Sequence, residues 1–223
     1  MGSPAAHPVL EQDPAQEELQ VRQTVQRILA IHLQPPEGTS STEAQRRRPS
    51  PRRAFWPGIS LDLTGAALVD FNFTSVSVVQ ARFLGAIFQG FADFTRATFQ
   101  GDAWFYRATF QGFAGFTEAT FQGDAGFGRA TFRGNAGFTG ATFQGDARFG
   151  GATFRGDATF GEATFQGDAR FHRATFQGYA EFAEVHVLHV DDPNINKRRV
   201  WPDEWAIRPD PADPTRGTLI RAE

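Results

Sequence analysis

An eleven-residue repeat dominates this chain. From Ala97 to about Glu184 it reads Ala-Thr-Phe-Gln-Gly-Asp-Ala-x-Phe-x-x with few departures. Before Ala97 the period is five, and after Phe88 the Phe residues step alternately by six and by five as far as Phe182. Each Phe of this series has an Ala two places before it. A strict internal period predicts a solenoid, which grows by stacking units instead of enlarging one central core.

The spacing of the Phe residues favours strands over a helix. Residues five or six apart lie about 500° or 600° apart around an α-helix, so the rings would scatter over its surface. Frequent Gly and Thr would also weaken every helical turn. In a strand, Ala and Phe two places apart point to the same side, and the residues between units can turn a corner. The repeats therefore predict an all-β solenoid.

The individual units resemble a known family. Segments 61–65 (Leu-Asp-Leu-Thr-Gly), 66–70 (Ala-Ala-Leu-Val-Asp) and 97–101 (Ala-Thr-Phe-Gln-Gly) are similar to pentapeptide repeats, whose consensus is a small residue, a polar residue, Leu or Phe, and two polar residues. The resemblance covers roughly residues 59–190. It implies a right-handed quadrilateral β-helix with one pentad on each face. Alternate units carry one added residue, and this pattern resembles that of a Phe-rich, actinobacterial branch of the family.

Two insertions in each four-faced coil make the predicted circuit 22 residues, so the solenoid contains about six coils. Residues 22 apart then stack in columns about 4.8 Å apart. One inserted corner carries Asp102, Asp124, Asp146 and Asp168, and the opposite corner carries Phe91, Phe113, Asn135, Asp157 and Tyr179. The rings of the repeats should fill the interior. The expected core stack is Phe105, Phe110, Phe116, Phe121, Phe127, Phe132, Phe138, Phe143, Phe149, Phe154, Phe160, Phe165, Phe171 and Phe176.

The chain divides into four segments. Residues 1–36 contain an amphipathic helix at 15–33, which Pro35 and Pro36 end. Residues 37–54 are rich in Arg, Pro and Ser without an apolar period, which is typical of a disordered linker. Residues 55–190 form the β-helix, and residues 191–223 form a C-terminal cap. The helix and the tail around Trp201 and Trp205 are expected to cover the two ends of the solenoid.

Charged residues separate across the predicted solenoid. The face after the Asp corner and the next face hold eight Arg, and most acidic residues outside the Asp corner lie near the third face. Exposed aromatic residues at the opposite corner are typical of a partner site. The candidate interaction surface consists of Arg107, Arg129, Arg148, Arg170, Arg173, Phe91, Phe113 and Tyr179.

Three patterns allow a structural or a functional interpretation. His186 and His189 have the spacing of metal ligands, but the alternating valines around them favour a last strand. The Asp column could bind a hard cation such as calcium, or its carboxylates could accept backbone hydrogen bonds in turns. The arginines from Arg46 to Arg53 could contact an acidic partner or belong to a solvated linker. In each case we favour the structural interpretation, so no metal or cofactor is expected.

The sequence favours a non-catalytic protein–protein interaction or scaffold module. It has no nucleophile elbow, no phosphate-binding loop followed by Lys, and no Cys. The alternative is a DNA mimic that inhibits or protects a topoisomerase such as DNA gyrase, as in some members of the resembled family. Mimicry needs dense negative charge, which the arginines oppose.

Several further expectations follow. The partner is an unidentified protein or a second copy bound at one end of the solenoid, and direct nucleic-acid binding is not expected at a net charge of -3. No apolar run approaches the length of a membrane span. A chain without Cys suits a reducing compartment, and we expect the cytoplasm.

Overall fold

The computed structural model describes residues 14–36, 55–188, 200–202 and 205–221. The predicted linker at 37–54 lies outside the described residues, as do His189 and Val190 and the first part of the predicted cap, residues 191–199.

One α-helix precedes the solenoid. Helix α1 spans Pro14–Leu33, close to the predicted 15–33. Its packing differs from a simple amphipathic pattern, because Val21, Val25 and Ile28 are exposed while Leu33 is fully buried. Gln26, a polar residue, is also buried. The helix therefore meets the solenoid along the narrow stripe that carries Gln26 and Leu33.

The strands form four faces, numbered in the order in which the chain visits them. Face 1 contains β1 (Ser60–Asp62), β4 (Gln80–Arg82), β7 (Ala103–Trp104), β11 (Ala125–Gly126), β15 (Ala147–Arg148) and β19 (Ala169–Arg170). Faces 2 and 3 share β2 (Ala67–Asn72) and β5 (Ile87–Asp93), which run across the corner between them. Face 2 adds β8 (Thr109–Phe110), β12 (Thr131–Phe132), β16 (Thr153–Phe154) and β20 (Thr175–Phe176). Face 3 adds β9 (Ala114–Gly115), β13 (Ala136–Gly137), β17 (Ala158–Thr159) and β21 (Ala180–Glu181).

Face 4 is continued by the C-terminal hairpin. It contains β3 (Ser77–Val78), β6 (Thr98–Phe99), β10 (Thr120–Phe121), β14 (Thr142–Phe143), β18 (Thr164–Phe165) and β22 (His186–Leu188). Strands β24 (Arg216–Arg221) and β23 (Trp205–Pro209) then extend the sheet in antiparallel pairing. All pairs within the solenoid are parallel; for example, Thr120 pairs with Thr142.

The register of the strands confirms the predicted length of the circuit. Ala103 pairs with Ala125 on face 1, and Thr131 pairs with Thr153 on face 2, a step of 22 in each case. In the first coil, before the insertions begin, Leu61 pairs with Ala81, a step of 20. Six strands on face 1 give the predicted six coils.

Stacked Phe rings fill the interior. From Phe83 to Phe182, rings in successive coils of one column lie nearly parallel with centroids 4.6–4.9 Å apart, as Phe105 and Phe127 do at 4.8 Å. Rings of neighbouring columns meet edge to face, as Phe116 does with Phe127 at 5.2 Å and 86°. Both arrangements suit the ring quadrupole. Of the core-stack residues, Phe105 to Phe171 are buried and Phe176, in the last coil, is half-buried.

The four corners are of two kinds. The corners after faces 1 and 3 place their second residue in the left-handed region, with φ of 58° at Arg107 and 55° at Glu118. The corners after faces 2 and 4 carry the inserted residue and a Gly. A Cβ at Gly123 would lie 2.4 Å from the carbonyl carbon of Gly101 in the preceding coil. Glycine is therefore needed there because two backbones approach closely.

Polar and aromatic groups cover parts of both ends. At the N-terminal end, Gln26 Nε2 donates to the carbonyl oxygen of Val69 (3.0 Å), and the Val69 N–H donates to Gln26 Oε1 (3.1 Å). At the other end Trp201 lies 5.6 Å from Phe171, and Trp205 lies 5.3 Å from Phe182. The side-chain amide of Gln26 makes the hydrogen bonds that a neighbouring strand would make. Trp201 stacks on Phe171 with 26° between the ring planes, and Trp205 packs against Phe182 at a tilt of 56°.

Candidate functional site

Face 2 is a flat sheet surface with arginines along both edges. Thr109, Thr131, Thr153 and Thr175 form its central ladder. The first basic row, at the corner between faces 1 and 2, consists of Arg107, Arg129 and Arg173. The second basic row, at the corner between faces 2 and 3, consists of Arg133 and Arg155. All five side chains are exposed, and within the described part of the chain none forms an ion pair.

An acidic row lies diagonally across the solenoid from the first basic row. Glu118, Glu162 and Glu184 occupy the corner between faces 3 and 4, and all three are exposed. Their backbone φ values of 55–59° match those of the first basic row, 56–58°. The two rows therefore project from equivalent corners on opposite sides of the tube.

Arg148 and Arg170, although predicted with the other arginines, are bound to carboxylates on face 1. Arg148 lies 2.7 Å from Asp124 and 2.9 Å from Asp146, and Arg170 lies 2.6 Å from Asp168. Burial disfavours the charged form of Arg148, but hydrogen bonds to the two carboxylates and their charge raise its pKa above the usual value. These two arginines are less available to a partner than the basic rows.

The Asp column forms a ladder of hydrogen bonds between coils. Asp102, Asp124 and Asp146 each accept a hydrogen bond from the backbone N–H of the Asp in the next coil, at 3.0–3.1 Å. The sequence favoured Asp side chains that accept backbone hydrogen bonds within their own turn. In the structure, each of these carboxylates accepts from the backbone N–H of the following coil instead. The second oxygens of Asp124, Asp146 and Asp168 bind Arg148 or Arg170. Most of the acceptor capacity that a cation would need is therefore already used.

The predicted aromatic residues lie in one column at the corner between faces 2 and 3. The exposed fractions are 44% for Phe91, 51% for Phe113 and 67% for Tyr179. A Cβ at Gly115 would lie 2.9 Å from the Phe113 ring, so this ring lies over the neighbouring glycine. Tyr179 is four coils from Phe91, and Asn135 and Asp157 lie between. The column therefore holds one aromatic pair and one distant residue.

Two further aromatic residues, Trp104 and Tyr106, were not singled out from the sequence. The Arg148 guanidinium lies 5.8 Å from the Trp104 ring, and the Arg107 guanidinium lies 5.3 Å from the Tyr106 ring. A Cβ at Gly126 would come within 2.3 Å of the Trp104 ring. The sequence does contain a signal for these two rings, because a Gly stands 22 residues after each of them, at positions 126 and 128, and leaves room for the ring.

Other chemistry has little support among the described residues. They contain no group of three His, Cys, Asp or Glu placed to hold a metal ion. His186 is exposed on β22, and its predicted companion His189 lies outside the described ranges. An apolar groove of about 500 Å³ lies between α1 and the first coil, lined in part by Val25, Leu29 and Leu68. No helix in the described ranges has the length and apolar character to cross a bilayer.

Comparison with known proteins identifies the repeats. A family model described as pentapeptide repeats (9 copies) matches residues 94–142 and 138–186. The comparisons with curated proteins and with solved structures gave no match. The assignment to a Phe-rich actinobacterial branch stays a prediction. The matched residues lie within the four-faced solenoid described above, and residues 94–186 of this chain are therefore pentapeptide repeats.

Proposed function

We propose that this protein is a non-catalytic interaction module that binds an acidic protein surface on face 2. The main observation is the pair of basic rows, which place five exposed arginines along the edges of a flat strand surface. Arginine is favoured at interfaces, where its guanidinium binds carboxylates through paired hydrogen bonds. The aromatic residues Phe91 and Phe113, at the edge of the same face, extend the proposed contact. We also propose a cytoplasmic location, for which the absence of Cys is the support.

The interior supports a structural role for the solenoid. Catalytic and ligand sites are usually concave, with a few polar groups converging on an apolar pocket. In this tube Phe and Ala occupy the inward positions of the repeats from Phe83 to Phe171 and are buried. The filled interior therefore supports our placing the interaction site on the outer surface.

The charge distribution argues against the DNA-mimic alternative. A mimic of the phosphate backbone needs dense negative charge along its surface, whereas faces 1 and 2 carry the arginines. A gyrase supercoiling assay with purified protein separates the two functions. We expect no inhibition at low micromolar concentration, and inhibition in that range would support the mimic.

A capture experiment with the full chain tests the proposed surface. We expect Arg129→Glu to abolish retention of the native partner from a cell extract, because the substitution reverses a charge in the first basic row. Arg96→Glu is the matched control. Arg96 is exposed and has the same φ of 56° as Arg129, but it lies at the corner between faces 3 and 4. Equal loss of partner in both variants would contradict the assignment to face 2.

A further inference from the structure

We infer that a second copy of this protein docks on face 2 through its own face 4, with the two solenoid axes antiparallel. The inference names a partner for the surface in the proposed function and rests on that function. Faces 2 and 4 lie on opposite sides of the tube, so each copy presents both surfaces at once. The supporting observations are the two Thr ladders, the positions of the charges, and the backbone conformation of the charged residues.

Faces 2 and 4 have matching central ladders. Face 4 carries Thr98, Thr120, Thr142 and Thr164 in register, as face 2 carries its own four Thr residues. Because both ladders place one Thr in each coil, they have the same spacing. Beside each Thr ladder runs a row of longer outward side chains: Gln100, Gln122, Gln144 and Gln166 on face 4, and Gln111, Arg133, Arg155 and Gln177 on face 2. The two faces can therefore meet along their Thr ladders, with these longer polar side chains at one edge.

The first basic row meets the acidic row, whose carboxylates form no ion pair within the described part of the chain, only when the axes are antiparallel. Turning the second copy through half a rotation about the normal to the face places its acidic row over the first basic row. Coil by coil, the basic corner reads Arg107, Arg129, Gly151, Arg173, and the acidic corner reads Glu118, Gly140, Glu162, Glu184.

Reversed, the two corners match at each of these four coils, and the preceding coil, with Gly85 and Arg96 at the two corners, lies outside the overlap. The pairs are Arg107 with Glu184, Arg129 with Glu162, Gly151 with Gly140, and Arg173 with Glu118 of the second copy. With parallel axes the acidic row would lie over the second basic row instead, leaving the first basic row opposite the corner between faces 4 and 1. That corner carries the Asp column, of which Asp124, Asp146 and Asp168 already bind arginines. The antiparallel arrangement is therefore the one that gives each Arg of the first basic row a carboxylate without an ion pair in its own chain, within the described residues.

The other edge of the interface is also complementary. In the same register the second basic row lies over the corner between faces 4 and 1 of the neighbour, which carries the Asp column. Arg133 then faces the coil of Asp168, and Arg155 faces the coil of Asp146. Their carboxylates already bind arginines of their own chain, so this edge supplements the first.

The backbone gives an independent reason to assign a role to these charges. Nine residues other than Gly have positive φ in the described ranges, and six of them form the first basic row and the acidic row. Glycine adopts this conformation without strain, and it occupies Gly140 and Gly151 at the same corners. The corners impose this conformation on Ser75 and Arg96 as well, so a charged residue there accepts backbone strain that Gly would avoid, and strain of this kind is often found at functional sites.

The contact is heterologous, and this determines the assembly. Face 2 of one copy binds face 4 of the next, so the rows of molecules do not close and can lengthen at both ends. Exposed ion pairs are weak and are screened by salt over about 8–10 Å. Self-association should therefore depend strongly on protein concentration and on ionic strength.

Sedimentation velocity of the full chain tests the inference. At about 20 mM salt the mean mass should rise past that of a dimer with concentration, and at about 500 mM salt it should return to that of a monomer. Arg129→Glu and Glu162→Arg should each weaken association by about tenfold or more, because each places like charges together. Circular dichroism should show both variants folded, because both residues are exposed.

Mixing the two variants provides the decisive control. Each variant repels its own copies, but the two together restore both contacts, so the mixture should associate as the natural protein does. The double variant Arg129→Glu/Glu162→Arg should also associate. Arg129→Glu/Glu118→Arg should not, because Glu118 pairs with Arg173 in this register.

Two results would overturn the inference. One is a natural protein that remains monomeric at low salt, and the other is equal association of the two double variants. Failure of the proposed function would differ, because a foreign partner lost with Arg129→Glu would not return when Glu162→Arg is added.

Discussion

Single glycines control how closely two coils can approach. A Cβ at Gly123 would lie within 2.4–2.8 Å of three atoms of Gly101 and Asp102. We expect Gly123→Ala to reduce the free energy of unfolding by about 1–3 kcal/mol, because two backbones must separate. At Gly137 the nearest atom would be 3.7 Å away, so Gly137→Ala should be neutral or slightly stabilising. Chemical denaturation measures both, and equal losses would contradict the steric explanation.

The Phe rings supply the packing that holds each coil. Phe127 lies 4.8 Å from both Phe105 and Phe149 in its column and is fully buried. We expect Phe127→Ala to destabilise the protein by about 3–5 kcal/mol, since a middle coil cannot collapse around the cavity. Gln122→Ala, at an exposed position of the same coil, should change stability by about 0.5 kcal/mol or less. Similar unfolding midpoints for the two variants would show that the column does not hold the coils together.

Helix α1 forms hydrogen bonds with the edge of the first coil through the side chain of Gln26. Gln26 forms two hydrogen bonds with the backbone of Val69. Gln26→Leu retains much of the volume but leaves a donor and an acceptor without their partner, so we expect a loss of about 1–3 kcal/mol. Hydrogen exchange at the Val69 amide should accelerate in this variant. Gln23→Ala, at an exposed position one turn earlier, should leave that amide protected.

The sequence predicted which residues share a column, but not which of the charged residues form ion pairs. A period of 22 was enough to place Arg107 and Arg148 in adjacent outward columns, because the repeat determines which residues stack. Only side-chain geometry separates them, since Arg148 reaches two carboxylates while Arg107 lies over Tyr106. Likewise, a glutamine in a helix is usually a surface residue, so the buried amide of Gln26 had no signal in the pattern.

The whole molecule is a series of nearly equivalent coils, so removing one complete coil should preserve the fold. We expect a protein lacking residues 125–146 to unfold cooperatively, because Phe105 would then stack on Phe149, which occupies the same column. Thermal denaturation followed by circular dichroism measures this. A deletion of residues 125–132 is the control. It puts the rings out of phase and should prevent folding, and a stable protein with this shorter deletion would contradict the stacking argument.

The difference between the short sequence repeat and the circuit of twice its length has an evolutionary consequence. Loss of one repeat unit, as by unequal recombination between neighbouring repeats, would still bring every downstream ring onto an existing column. All coils beyond the junction would, however, turn by half a circuit relative to those before it. Arginines such as Arg173 would then continue the edge that bears Glu118. A single genetic event could thus exchange the charges at two corners of the solenoid while the buried rings keep their stacking partners. The binding surface of such a protein can therefore change without a change of fold.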